Sequence, residues 1–196
     1  MYLFGASGHG KVIAEILESN KIKVSGFIDE DRGKENLLGY NVFHKPPAEV
    51  VKVIISIGNN RVRKIVVDSY NNFQYETAIH AAAHVSSRMY VGNGTVVMAG
   101  ATINADVNIG NHSIINTNTS VDHDCIIGDF VHLSPNVALA GNVEVGEGTH
   151  VGIGACIIQG IKIGKWCTIG AGAVIIKDVP DGCTVVGNPG RIIKKQ

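Results

Sequence analysis

Written in sixes, residues 115–144 read INTNTS VDHDCI IGDFVH LSPNVA LAGNVE, and an aliphatic side chain opens every six. The register runs on in both directions, through Ile79, Val85, Val91, Val97, Ile103 and Ile109 before the quoted stretch and Val145, Val151, Ile157, Ile163, Ile169 and Ile175 after it. That makes seventeen consecutive aliphatic positions, far beyond chance. The fifth place of the six is small or β-branched (Ala83, Thr95, Ala101, Val107, Ser113, Thr119, Cys125, Val131, Ala173), and glycine recurs at the second (Gly92, Gly110, Gly128, Gly146, Gly152, Gly164, Gly170). One large and one small inward side chain per six suits a short strand followed by a tight turn. Three such sides close a triangular coil of about eighteen residues, and stacked coils one parallel-strand spacing apart make a prism roughly 27 Å long. Glycine and asparagine serve the turns because they tolerate positive φ.

Residues 1–78 lack this period and read as a small parallel, Rossmann-like βαβ unit, with the prism occupying 79–196. Tyr2–Phe4 is a strand, GASGHG (5–10) a glycine turn, Lys11–Ser19 an amphipathic helix, and Val24–Ile28 a second strand ending at Asp29. Val53–Ile57 is a third strand, followed by Gly58-Asn59-Asn60 and a helix from about Arg61. A glycine turn between strand and helix presents backbone N–H groups to a phosphate, and Asp29 stands where dinucleotide folds place a ribose-binding carboxylate. Gly5-x4-Gly10-Lys11 comes close to a nucleotidase phosphate loop, but Val12 replaces the hydroxyl that would hold magnesium, which argues against ATP or GTP hydrolysis.

Composition narrows the class. Seventeen basic residues balance seventeen acidic ones, which disfavours nucleic acid and anionic membranes as partners. Neither a signal peptide nor a membrane-length apolar run is visible. The four cysteines lack paired spacing and read as small buried thiols in a reducing, cytoplasmic compartment.

The register also sorts the eight histidines. His123 takes the third place of its hexad and His132 the sixth, so both point outward. One coil above His123 is Gly141 and one below is Ala105, which leaves the imidazole open and stacks a glycine N–H over it. Asp122 and Asp124 flank His123, and either can hold one ring nitrogen and leave the other as a base. His150 stacks on His132; two histidines without a third ligand make a poor metal site. His44, His80, His84 and His112 read as surface histidines.

GASGHG, FIDED (27–31), IGNNRVRK (57–64), the segment 115–135, LAGNVEVGEG (139–148) and VVGNPGR (185–191) together resemble the sialic-acid O-acetyltransferase and bacterial UDP-4-amino-sugar N-acetyltransferase family along essentially the whole chain. The resemblance implies a left-handed β-helix, a homotrimer with sites at subunit interfaces, and acetyl-CoA as co-substrate with no metal. It implies His123 as general base with Asp124 orienting it, and Gly141 facing the thioester carbonyl. Gly8, His9, Asp29, Asn59, Asn116 and His132 match positions around a UDP-amino sugar; His150, Ala171 and Arg191 match positions around CoA. Two departures stand out. Asp124 replaces the common glutamate, which leaves Asp122 as a rival, and Gly190 replaces the usual alanine.

Three functions remain open on sequence: acetylation of the amine of a UDP-linked 4-amino sugar, O-acetylation of sialic acid or a related sugar, and non-catalytic binding of a sugar nucleotide. A purely structural prism is a fourth. Only the first two use both the His123/Gly141 pair and the basic tail of Arg191, Lys194 and Lys195.

Overall fold

The computed structural model describes residues 1–70 and 72–195. The N-terminal strands β1 (Tyr2–Phe4), β2 (Gly26–Ile28), β3 (Asn36–Leu37), β4 (Tyr40–Phe43), β5 (Val51–Ile55) and β6 (Phe73–Tyr75) form one sheet in the order β3-β4-β2-β1-β5-β6. All its pairs are parallel except β3 with β4. Helices α1 (Gly8–Ser19) and α2 (Asn60–Ser69) provide the crossovers.

Helix α1 starts at Gly8, three residues before the expected Lys11, so the turn shrinks to Gly5-Ala6-Ser7. Packing requires the glycines on either side of it. Gly5 has φ +115°, and a Cβ on Gly10 would lie 2.6 Å from the Gly5 carbonyl oxygen and 3.0 Å from the Phe27 ring. The β3–β4 hairpin and the short β6 carry too little alternation to be read from sequence.

The left-handed β-helix follows as seventeen two-residue rungs, from Ala78–Ile79 to Val174–Ile175. They fall on three faces. The first carries the outward column Ala78, Val96, Ile114, His132, His150, Thr168; the second His84, Thr102, Ser120, Ala138, Cys156, Val174; the third Tyr90, Asn108, Ile126, Glu144, Lys162. Partners are always eighteen residues apart, as in Ile115 with Leu133. The second residue of each rung points inward and builds the core, with Val97, Ile109, Ile115, Leu133, Val151 and Ile169 all fully buried. Each such side chain contributes roughly 1.5–3 kcal/mol. Fifth-place hydroxyls inside the prism bond to the coil above: Thr95 donates to the Gly110 carbonyl at 2.7 Å and Ser113 to the Gly128 carbonyl at 2.8 Å. A hairpin of Cys183–Val186 and Arg191–Lys195 closes the top. Gly190 is tight there, since a Cβ would meet the Ile175 side chain at 2.8 Å.

The first face explains how the two parts meet. Its lower outward residues, Ala78, Val96 and Ile114, are apolar and buried with Met98 against Ile13, Ile16 and Leu17 of α1. Higher up, the same column continues with His132, which His9 of α1 faces at 6.2 Å, and His150. The Asn20 amide donates to the Ile79 carbonyl at 2.7 Å across the junction.

Two expectations are corrected. Cys125, Cys167 and Cys183 are buried, but Cys156 is exposed, because it occupies an outward sixth place. His112 is buried at 6 % exposure rather than solvated; it lies flat against Phe130 at 5.2 Å with Tyr75 on its edge at 4.6 Å. Among the described residues no helix is long and apolar enough to cross a membrane.

Candidate active site

The repeat geometry builds one constellation directly. His123 projects from the edge between the second and third faces. Its Nδ1 lies 2.7 Å from Asp124 Oδ2. The backbone at Asp124 has φ 60°, a conformation aspartate tolerates, and from it the shorter side chain still reaches the ring. Asp122 is occupied otherwise, accepting from the His123 backbone N–H and from the Asn104 amide, both at 2.8 Å. A Cβ on Gly141 would come 2.7 Å from His123 Cε1 and 2.8 Å from Nε2, so any larger residue there pushes this ring aside. The Asp124 hydrogen bond, helped by the charge of Asp122, holds the imidazole above its usual range.

A second constellation lies at the first face. His132 and His150 stack at 5.1 Å, and His9 from α1 approaches His132 at 6.2 Å. Asn116 Nδ2 lies 3.1 Å from His132 Nε2, and the Ser134 hydroxyl 2.9 Å from His150 Nε2. Burial first, then neighbouring positive charge, pushes His9 down to about 4 and His132 to about 3, and lowers His150 as well. His9 Nε2 is buried and has no hydrogen-bond partner among the described residues.

Two clefts share Gly58. One, of about 490 Å³, opens at the carboxyl ends of β1, β2 and β5 and is lined by Gly5, Ser7, Asp29, Gly58, Ile65 and Tyr70, the place where open parallel sheets take ligands. The other, of about 360 Å³, is lined by Gly58, Asn59, Arg61, His132, His150 and Trp166. Gly8 has open space beside it, while Asn59 caps α2, its side chain accepting from the Val62 N–H at 3.1 Å. Asp29 is already engaged by the Ala6 N–H (2.8 Å), the Asp31 N–H (3.0 Å) and Lys34 Nζ (2.9 Å). Burial raises its carboxyl, but those three partners outweigh it and the net direction is down.

The structure therefore brings Gly8, His9, Asp29, Asn59, Asn116, His132 and His150 to one side of the prism and His123, Asp124 and Gly141 to the opposite edge. Ala171 stands apart from both, on the edge between the first and second faces. Arg191 lines a cleft of about 530 Å³ with Lys177 and Ile192 at the top. Sequence reasoning missed Asn60, Arg63, Lys34, Ser134 and Trp166. Of these, only the run IGNNRVRK carried a signal. Among the described residues no group of three or more His, Cys, Asp or Glu side chains is arranged to hold a metal ion.

Over 99 % of its length the chain superposes on 96 % of a variant perosamine N-acetyltransferase of Caulobacter crescentus, solved with CoA and GDP-perosamine, at 37 % identity and TM-score 0.95. The chain belongs to the hexapeptide-repeat amino-sugar N-acetyltransferases. A second member of that family, the acetyltransferase domain of PglB from Neisseria gonorrhoeae in complex with acetyl coenzyme A, is 36 % identical, with 98 % of each chain covered and a TM-score of 0.90. The UDP-N-acetylbacillosamine N-acetyltransferase of Bacillus subtilis is 41 % identical over 107 residues, 49 % of this chain and 50 % of that one; the match thus spans about half the length of that relative. Residues 1–70 match the PglD N-terminal domain and residues 142–177 the bacterial transferase hexapeptide model of six repeats.

Proposed function

We propose that this chain transfers the acetyl group of acetyl-CoA to the amine of a UDP-linked 4-amino sugar, in the cytoplasm, by direct transfer. The observation that carries the reading is His123, tied to Asp124 at 2.7 Å through Nδ1 and lying under Gly141. Asp124 keeps the proton on Nδ1 and leaves Nε2 as the base. The amine attacks the thioester carbonyl, and the C–N bond forms as His123 takes the amine proton. The Gly141 N–H, which the prism ladder does not use, stabilises the tetrahedral oxyanion. Collapse breaks the C–S bond, and His123 passes its proton to the departing thiolate.

Residues 1–78 hold the sugar nucleotide and residues 79–196 the CoA. On the edge of His123, one coil per eighteen residues leads through Gly141 to Lys177, about 14 Å higher, beside Arg191. The cationic end there suits the CoA phosphates, with Lys194 and Lys195 adding charge. The unpartnered His9 Nε2 awaits a polar ligand group.

His123 lies on the edge opposite the first face, so a chain cannot carry it to its own clefts. The working unit in this proposal is a homotrimer in which the His123 edge of one subunit meets the clefts of the next, and Ala171 and His150 join Gly141 around CoA only across that junction. A thiol-release assay with UDP- and GDP-linked 4-amino sugars, sialic acid and serine tests the reading. Release with the UDP-linked amine, giving an N-acetylated sugar, is the expected result. Release with sialic acid or serine alone overturns it.

A further inference from the structure

Arg63 is the largest fully buried side chain of the described residues, and no carboxylate accompanies it. Its five donors are all used by neutral acceptors. Nε donates to the His112 carbonyl at 2.7 Å, one terminal nitrogen to the Phe130 carbonyl and Asn60 Oδ1, both at 2.9 Å, and the other to the carbonyls of Ile57 at 2.9 Å and Gly58 at 3.2 Å. Asn60 continues the pattern by donating to the Gly148 carbonyl at 3.1 Å. His112, Phe130 and Gly148 follow one another at eighteen-residue intervals along the edge between the third and first faces. The N–H of each bonds to the coil below, but none of the three carbonyls accepts a backbone N–H from a neighbouring coil. The Asn60–Arg63 pair satisfies these three carbonyls in register, and so sets where α2 sits along the prism. A flat fork of five donors does this; an ammonium cannot.

The same guanidinium reaches the sugar side of the site. The Gly58 carbonyl that accepts from Arg63 also lies 3.3 Å from His132 Nδ1. A carbonyl only accepts, so the His132 proton must sit on Nδ1. Nε2 is then free to accept from Asn116 Nδ2 at 3.1 Å, while Asn116 Oδ1 accepts the Thr117 N–H at 2.8 Å. Gly58 is also the residue common to both clefts. We propose that Arg63 is a positioning residue for the sugar side of the active site, locking α2 to three successive coils and fixing, through the Gly58 carbonyl, which nitrogen of His132 carries its proton. This rests on the transferase reading above. The positive charge of Arg63 also helps keep His9, His132 and His150 neutral.

The test combines steady-state kinetics of Arg63→Lys with imidazole nitrogen NMR of the full-length protein, the His132 resonances being assigned by their loss in His132→Gln. The wild type should show His132 protonated on Nδ1. Arg63→Lys should mix the two tautomers and raise KM for the nucleotide-linked amino sugar roughly tenfold or more, with KM for acetyl-CoA within about twofold. A wild-type His132 protonated on Nε2, or an Arg63→Lys protein with the His132 signals and the sugar KM unchanged, overturns the proposal. If Arg63→Lys does not fold, Asn60→Ala, which removes one acceptor and leaves the guanidinium, should show the same pattern more weakly; unchanged signals there overturn it equally. A wild type that releases no thiol with any amino sugar refutes the transferase reading, and Arg63 is then judged by the His132 resonances alone.

Discussion

Gly141 lies against the His123 ring so closely that a Cβ on it would stand 2.7 Å from Cε1 and 2.8 Å from Nε2. The eighteen-residue coil imposes this contact, since the two residues differ by one turn of the prism. In Gly141→Ala the methyl must displace the imidazole from Asp124, and the exposed ring is free to swing away. The expected result is a loss of at least about tenfold in kcat with little change in melting temperature. A variant with normal kcat contradicts the contact's importance.

The Asp124 carboxylate stabilises the imidazolium of His123, with Asp122 adding to it. The proposed base therefore stays protonated to higher pH than an ordinary histidine, and kcat/KM should rise as pH passes upward through its raised pKa. In Asp124→Asn that acid limb should move to lower pH while kcat falls by roughly tenfold or more. An acid limb that stays in place in the variant belongs to the acceptor amine rather than to His123.

Because His123 and the clefts lie on opposite sides of one prism, two different inactive subunits should repair each other. Ser7→Trp fills the cleft proposed for the nucleotide, at a residue whose side chain makes no cap hydrogen bond, and His123→Ala removes the proposed base. Co-refolded at equal amounts into random trimers, one junction in four pairs an intact cleft with an intact His123 edge, so roughly a quarter of wild-type activity should return. No recovery in mixed trimers means that each chain completes its own site.

Leu133 points into the prism core and is fully buried. Leu133→Ala should cost about 2–5 kcal/mol in equilibrium denaturation, whereas Val50→Ala, in an exposed loop, should stay within about 0.5 kcal/mol.

What the sequence disclosed depended on where each side chain's partner lay. The aliphatic register from Ile79 to Ile175 is legible because each inward place faces the same demand, and its period alone places Gly141 over His123. His112 was misread because its cover comes from β6 and a neighbouring coil, which the hexad pattern does not encode. The run IGNNRVRK marks the segment around Arg63 but not what Arg63 does, for a related reason. On α2 it reads as one of several basic surface residues, and its partners are backbone carbonyls, which have no sequence signature. Asp29 was correctly placed at the end of β2, but the engagement of its carboxylate by Lys34 and two backbone N–H groups depends on a loop whose shape local pattern does not set.

The proposed role of His123, as base of an acetyl transfer from acetyl-CoA to a nucleotide-linked amino sugar, requires that its removal stop turnover and spare CoA binding. Its most direct test is kcat for thiol release by His123→Ala, measured beside CoA binding by calorimetry on the same preparation. A fall of at least about a hundredfold in kcat with CoA affinity retained is the predicted outcome; near-normal turnover in that variant contradicts it.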